Sequence, residues 1–258
     1  MILAIDVGNT NIVIGGLSGE EIFFTARIST DKSKTTDDYA AKLKSILEIY
    51  EIDRSRIAGA ILSTVVPALA TVLSDAVEKL LGCRPMVVSA AMNTGVRIAM
   101  DNPKQVGADL IVDATAVLHE YPQPTLFFDM GTATTVSAID QDGAYVGGMI
   151  IAGAELSLEA LSNGTAQLPH ISMDAPEKML GKNTIDCMKS GVIYGTAAMV
   201  DGIIQRAEEE MGEPLTVVAT GGISKKIVPY CRREIICDEN LTLKGLRLLY
   251  EKNKEKEN

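Results

Sequence analysis

The chain has no tryptophan, and only two histidines and four cysteines in 258 residues. Cys83, Cys187, Cys231 and Cys237 show no CxxC spacing, so the thiols read as reduced and structural and a zinc site is not expected. Basic residues are also in deficit, with 24 Lys and Arg against 34 Asp and Glu, a net charge of −10. Phosphate backbones select for clustered Lys and Arg, so no nucleic-acid partner is expected and direct DNA contact is disfavoured. A small anionic ligand stays open. No apolar run approaches the ~18 residues of a membrane helix. The N-terminus enters a strand that already contains Asp6, unlike the basic start and unbroken apolar core of a signal peptide. A cytoplasmic protein with no membrane partner is the expectation.

What is present is a repeated turn. Residues 3–15 read LAIDVGNTNIVIG: an apolar run of strand length reaches Asp6, a Gly-Asn-Thr-Asn turn follows, and a second apolar run begins at Ile12. This is a hairpin with a carboxylate and small hydrogen-bonding side chains at its tip. Gly8 lets backbone approach a ligand, Asn9, Thr10 and Asn11 offer donors to phosphate oxygens, and Asp6 is suited to a cation or its water shell. The plain alternative for Asp6 is a turn aspartate bonded to its own backbone. Residues 126–140, LFFDMGTATTVSAID, repeat the pattern. Asp129 follows Asp6 by 123 residues, as Gly131 follows Gly8, which is close to half the chain and fits a duplicated domain. A third glycine turn, Thr220-Gly221-Gly222, ends the apolar stretch 215–219.

With 47% apolar residues the chain can fill two modest cores. Strands are expected at 21–28, 57–66 and 85–88, and helices at 37–52 and 66–81, so the first half runs three strands, helix, strand, helix, strand. Strands alternating with helices imply a mixed sheet with covered faces. A helix following Val106-Gly107-Ala108-Asp109 runs through His119, and turn residues at 121–124 place the domain boundary between residues 1–121 and 122–258. In the second half, helices are expected at 154–162, 190–211 and 241–250, with an irregular segment at 164–183 and a frayed tail at 251–258.

The ordered motifs DVGNTN, DNPKQVGAD at 101–109, DMGTATTV at 129–136, GGMIIAG at 147–153, KNT at 182–184 and TGG at 220–222 span nearly the whole chain. As a set they resemble the type III pantothenate kinases of the actin-like ATPase and sugar kinase superfamily. The resemblance implies an α/β fold of duplicated actin-like (ribonuclease H-like) domains, mixed five-stranded sheets flanked by helices, with ATP in the interdomain cleft. It implies ATP-dependent phosphorylation of pantothenate to 4′-phosphopantothenate, the first step of coenzyme A biosynthesis. By the same resemblance Asp109 is the catalytic base, and Asp6, Gly8, Asn9, Thr10, Asn11, Thr132, Gly221 and Gly222 bind ATP. Gly107, Ala108, Asp109, Leu110 and, from a dimer partner, Thr184 form the pantothenate pocket, so the active species is a homodimer. Asp129 matches a site for a monovalent cation, K⁺ or NH₄⁺, and Asp6 the region of the Mg²⁺ that accompanies ATP.

Asp109 has a plainer reading, a helix-start carboxylate stabilised by the dipole. Gly191, Gly195, Ala197 and Ala198 make the helix at 190–211 an interface candidate, or simply a closely packed one. His119 and His170 read as structural or surface residues. The chain departs from the family pattern at Leu110, where an arginine is usual, at Asp113, where asparagine is usual, and at Met100, where some members carry an aromatic. Losing a cation beside the substrate should weaken carboxylate binding unless Lys104 or Arg97 substitutes. A kinase or phosphatase of another small molecule, or a non-catalytic regulator, are the alternatives.

Overall fold

The structure is a computed structural model that describes residues 1–89 and 92–254. Contacts divide the chain into two compact units. The first comprises Met1–Val96, Asn102–His119 and Leu241–Asn258; the second comprises Arg97–Asp101 and Glu120–Asn240.

In the first unit β1 (Ile2–Val7), β2 (Asn11–Ser18) and β3 (Glu21–Ser29) form an antiparallel meander. Helix α1 (Thr36–Ile49) leads to β4 (Gly59–Thr64), and α2 (Pro67–Leu81) to β5 (Met86–Val87). β4 returns parallel to β1, giving the order β3-β2-β1-β4-β5. Thr35 fixes the start of α1 through a capping box with Asp38, and Pro67 opens α2 where its missing N–H is no loss. Their apolar faces, with Leu43, Leu47, Leu69 and Leu73, cover one side of the sheet around Ile5, Ile14 and Leu62.

The second unit holds β6 (Arg97–Ile98), and the chain returns to the first for α3 (Ala108–Glu120), whose final residue is assigned to the second. Then β7 (Thr125–Met130), β8 (Ala133–Ile139) and β9 (Ala144–Ala152) repeat the meander. Helices α4 (Ala154–Asn163) and α5 (Thr184–Met211) precede β10 (Thr216–Thr220), which runs parallel to β7. A one-turn α6 (Ser224–Ile227), β11 (Ile236–Cys237) and α7 (Leu241–Asn253) complete the chain. The sheet order is β11-β10-β7-β8-β9-β6. Five of these strands reproduce the first sheet's order, so the fold itself is duplicated. The second sheet differs from the expected five strands by β6, a two-residue strand parallel to β9.

α7 follows β11 in sequence yet belongs with the first sheet. Leu243, Leu246 and Leu249 close the face formed by Ala4, Leu17 and Ile61, together with Val112 of α3. Thr242 donates to the buried carboxylate of Asp113 at 2.7 Å, which gives this departure from the family pattern a partner in α7. The linear division at residues 121 and 122 therefore differs from the contact-based one in where residues 97–101, 120–121 and 241–254 fall. α7 also continues to Asn253, whose side-chain amide donates to Asn93 O at 3.0 Å; of the expected frayed tail, residues 255–258 lie outside the described residues.

In the second unit α4 and α5 pack Leu158, Met188, Ile193 and Val200 against Phe128, Val136 and Val217. α5 begins at Thr184, six residues before the expected start, because the Asn183 side chain caps it through the Asp186 N–H at 2.9 Å. All four cysteines are free thiols, and burial together with the charge of Asp201 pushes the Cys231 thiol up to about 12, which suits a structural role. No helix among the described residues is long and apolar enough to cross a membrane.

Candidate active site

Each unit carries one acidic turn. In the first, Gly8 N–H donates to Asn11 O at 2.9 Å and closes the tip between β1 and β2. The end of β3 braces it: Thr30 Oγ1 donates to Gly8 O at 2.7 Å, and Thr30 N–H to Thr10 O at 2.9 Å. Asn9 and Thr10 are exposed, while Asp6, Gly8 and Asn11 are half-buried. The tip is thus a fixed backbone loop presenting polar side chains to solvent. Thr30 escaped the sequence reading because nothing local marks a strand-terminal threonine as the brace of a turn 20 residues earlier. Thr30→Val removes the hydroxyl at nearly constant shape. It should cost about 1 kcal/mol of stability and raise the KM for ATP with kcat little changed, as read by denaturant unfolding and steady-state kinetics.

In the same unit Asp109 is the second residue of α3, half-buried, where the positive end of the helix favours a carboxylate. Its Oδ1 folds back over Gly107, so close that a side chain at 107 would collide with it. Gly107 O accepts from Ile111 N–H at 3.1 Å and ties the loop to the helix. Gly107, Ala108, Asp109 and Leu110 therefore form one half-buried corner.

In the second unit Gly131 N–H donates to Ala133 O at 3.0 Å, the counterpart of the Gly8 bond. Two further segments converge there. Gly153, at the start of α4, donates to Thr132 O at 3.0 Å, and Ile223 N–H donates to Met130 O at 3.1 Å. Gly221 has φ +86°, and a Cβ there would lie 2.5 Å from Asp129 Oδ1 and 2.6 Å from Met130 N and O. The structure thus brings Asp129, Thr132 and Gly221 together, with the exposed Gly222 beside them. Thr184, exposed at the start of α5, lines a cavity of about 560 Å³ walled by Ile151, Leu158, Leu161, Gly191 and Gly195. Ala197 is buried inside the unit's own core.

Among the described residues no group of three or more His, Cys, Asp or Glu forms a ready metal cage. Asp6 supplies one half-buried carboxylate, a donor that suits Mg²⁺, which keeps most of its waters and takes one or two carboxylates plus substrate phosphates. Asp129 offers a hard oxygen beside backbone carbonyls, a donor set that suits a monovalent cation.

The sequence profile of the family described as type III pantothenate kinase matches residues 2–206. A type III pantothenate kinase of Moorella thermoacetica is 42% identical over 257 residues, covering 98% of this chain and all of the relative. One from an Exiguobacterium species is 44% identical over 255 residues, covering 99% of this chain and all of the relative. Among solved structures, the activator of 2-hydroxyisocaproyl-CoA dehydratase from Clostridium difficile with bound ADPNP superposes with a TM-score of 0.60 at 16% identity, covering 99% of this chain and 96% of that one, and shows a shared fold alone. The expected α/β class with a duplicated mixed-sheet fold is thus borne out. With family profile and near-full-length relatives in agreement, the chain belongs to the type III pantothenate kinase family.

Proposed function

We propose that the protein transfers the γ-phosphoryl group of ATP to the hydroxyl of pantothenate, giving 4′-phosphopantothenate and ADP at the start of coenzyme A synthesis. The observation that carries this reading is the pairing of full-length family membership with an intact Asp109 corner and two intact acidic turns. Phosphoryl transfer passes through a loose transition state, so catalysis is mainly positioning and electrostatic stabilisation. The Asp109 carboxylate accepts the hydroxyl proton as the new O–P bond forms and the bond to ADP breaks. Gly8, Asn9, Thr10 and Asn11 offer donors to the phosphates, Thr132 does so from the second turn, and Gly221 and Gly222 pack against adenosine. Asp6 would hold Mg²⁺ and Asp129 K⁺ or NH₄⁺, whose positive charge would offset that of the phosphates.

Pantothenate is an anion, and Leu110 brings no charge to it. Lys104, exposed in the turn Pro103–Gln105, is our substitute for the usual arginine. Arg97 is less suited, because its guanidinium already lies 3.9 Å from the Asp140 carboxylate.

The same reading makes the enzyme a homodimer that shares its substrate site through Thr184. Support comes from apolar surface near Thr184: Leu161, which lines the same cavity, is 44% exposed, and Ile185, next to Thr184 in the chain, is 46% exposed. A large apolar patch on a soluble chain marks an interaction surface. Mixing an inactive Asp109→Asn protein with an inactive Thr184 variant tests it. Shared sites regain activity on subunit exchange, because one of the two sites in a mixed dimer then has both residues. No recovery in mixed dimers would place Thr184 and Asp109 in the same subunit's site.

A further inference from the structure

Ser63 is out of character in β4. The strand reads Gly-Ala-Ile-Leu-Ser-Thr with its first five residues buried, and Ser63 is fully buried with a hydroxyl that has no hydrogen-bond partner in the structure. Leaving a buried donor unpaired is unfavourable, so such groups call for an explanation. Alternation along the strand puts Ser63 on the side of Ile61, toward α3 and α7, and away from Leu62 in the opposite core. β1 runs parallel alongside, and the residue in register with Ser63 is Asp6. Residues in register on neighbouring strands share a face about 4.8 Å apart. The hydroxyl and the carboxylate therefore stand side by side where the chain leaves β1 for the Gly8 turn.

The second half repeats this placement. Thr220 on β10 is in register with Asp129 on β7 and is 2% exposed. A buried hydroxyl residue in register with the turn aspartate thus occurs in both copies of this strand.

We infer that Ser63 is a positioning residue for Asp6: with nucleotide bound, its hydroxyl donates to the Asp6 carboxylate and holds it toward the cation-bearing phosphates. The inference rests on the reading of Asp6 given above. A carboxylate facing a cation gains from a donor behind it, which fixes its orientation. A serine hydroxyl rotates freely enough to make that bond only when the carboxylate is in place.

Ser63→Ala, Ser63→Thr and Asp6→Asn, made in the full chain, test this by thermal unfolding without nucleotide and by calorimetric titration with a non-hydrolysable ATP analogue and Mg²⁺. Because the hydroxyl has no partner to lose, Ser63→Ala should unfold at or above the parent temperature yet bind the analogue about tenfold more weakly, and Ser63→Thr should recover most of the affinity. Parent-like affinity in Ser63→Ala overturns the inference, as does a lowered unfolding temperature, which would mark a structural serine. Asp6→Asn separates the two levels. If it binds the analogue as the parent does, the reading of Asp6 itself fails; if it binds poorly while Ser63→Ala is unaffected, only the positioning role fails.

Discussion

Asp109→Asn should lower kcat for pantothenate phosphorylation by about two to four orders of magnitude, the usual contribution of a positioned general base, while leaving the KM for ATP near the parent value. Asparagine has the size of aspartate and keeps a carbonyl oxygen near the place of Oδ1 over Gly107, so the corner is preserved. What is lost in stability is the charge in the first turn of α3, worth less than about 1 kcal/mol at a half-exposed site. Kinetics and thermal unfolding measured on one preparation therefore separate a chemical role from a helix-capping one. Turnover close to the parent would remove Asp109 from the role of base and leave it as a helix-start carboxylate.

Gly221→Ala should strongly disrupt the second unit. At φ +86° any L side chain is strained, and here the added carbon also meets Asp129 Oδ1 and the Met130 backbone. The backbone strain costs about 1–2 kcal/mol and the overlap about 1–3 kcal/mol more, a large part of the ~5–15 kcal/mol that holds a domain folded. Gly212→Ala is the control, since Gly212 ends α5 at φ +77° with nothing within 4 Å of the added carbon, so it carries the strain without the overlap. Denaturant unfolding should show the larger loss for Gly221→Ala, and only that variant should lose ATP binding, through displacement of Asp129. Equal losses in the two variants, with ATP binding intact in both, would mean that the Asp129 turn yields freely and is not held by Gly221.

The duplication was legible in the sequence because it is local. Asp6 and Asp129, with the glycines that follow them, sit in hairpins whose strand alternation and turn residues are contiguous in the chain. Elements fixed by distant packing were not legible. Leu243 and Leu246 follow a helical period, but nothing in that period says that α7 covers β1 and β4, more than 170 residues earlier, and not the sheet that it follows. β6 and β11 are two residues each, too short to carry any alternation. The early start of α5 depends on the Asn183 side chain, a cap inside a segment otherwise read as irregular. Within the site, motif residues were found where a close approach or the backbone conformation favours glycine, as at Gly107 and Gly221 respectively. Thr30 and Ser63 were missed because their roles come from register and partners across the sheet.

The most direct measurement is product formation by the purified protein with ATP, Mg²⁺, K⁺ and pantothenate, followed by mass spectrometry of the acceptor and quantitation of ADP. The account predicts 4′-phosphopantothenate and ADP in equal amounts, with the rate falling when K⁺ is replaced by Na⁺. ADP without phosphopantothenate, or no product across wide ranges of both substrates, would contradict it and point to another acceptor or to a non-catalytic member of the family.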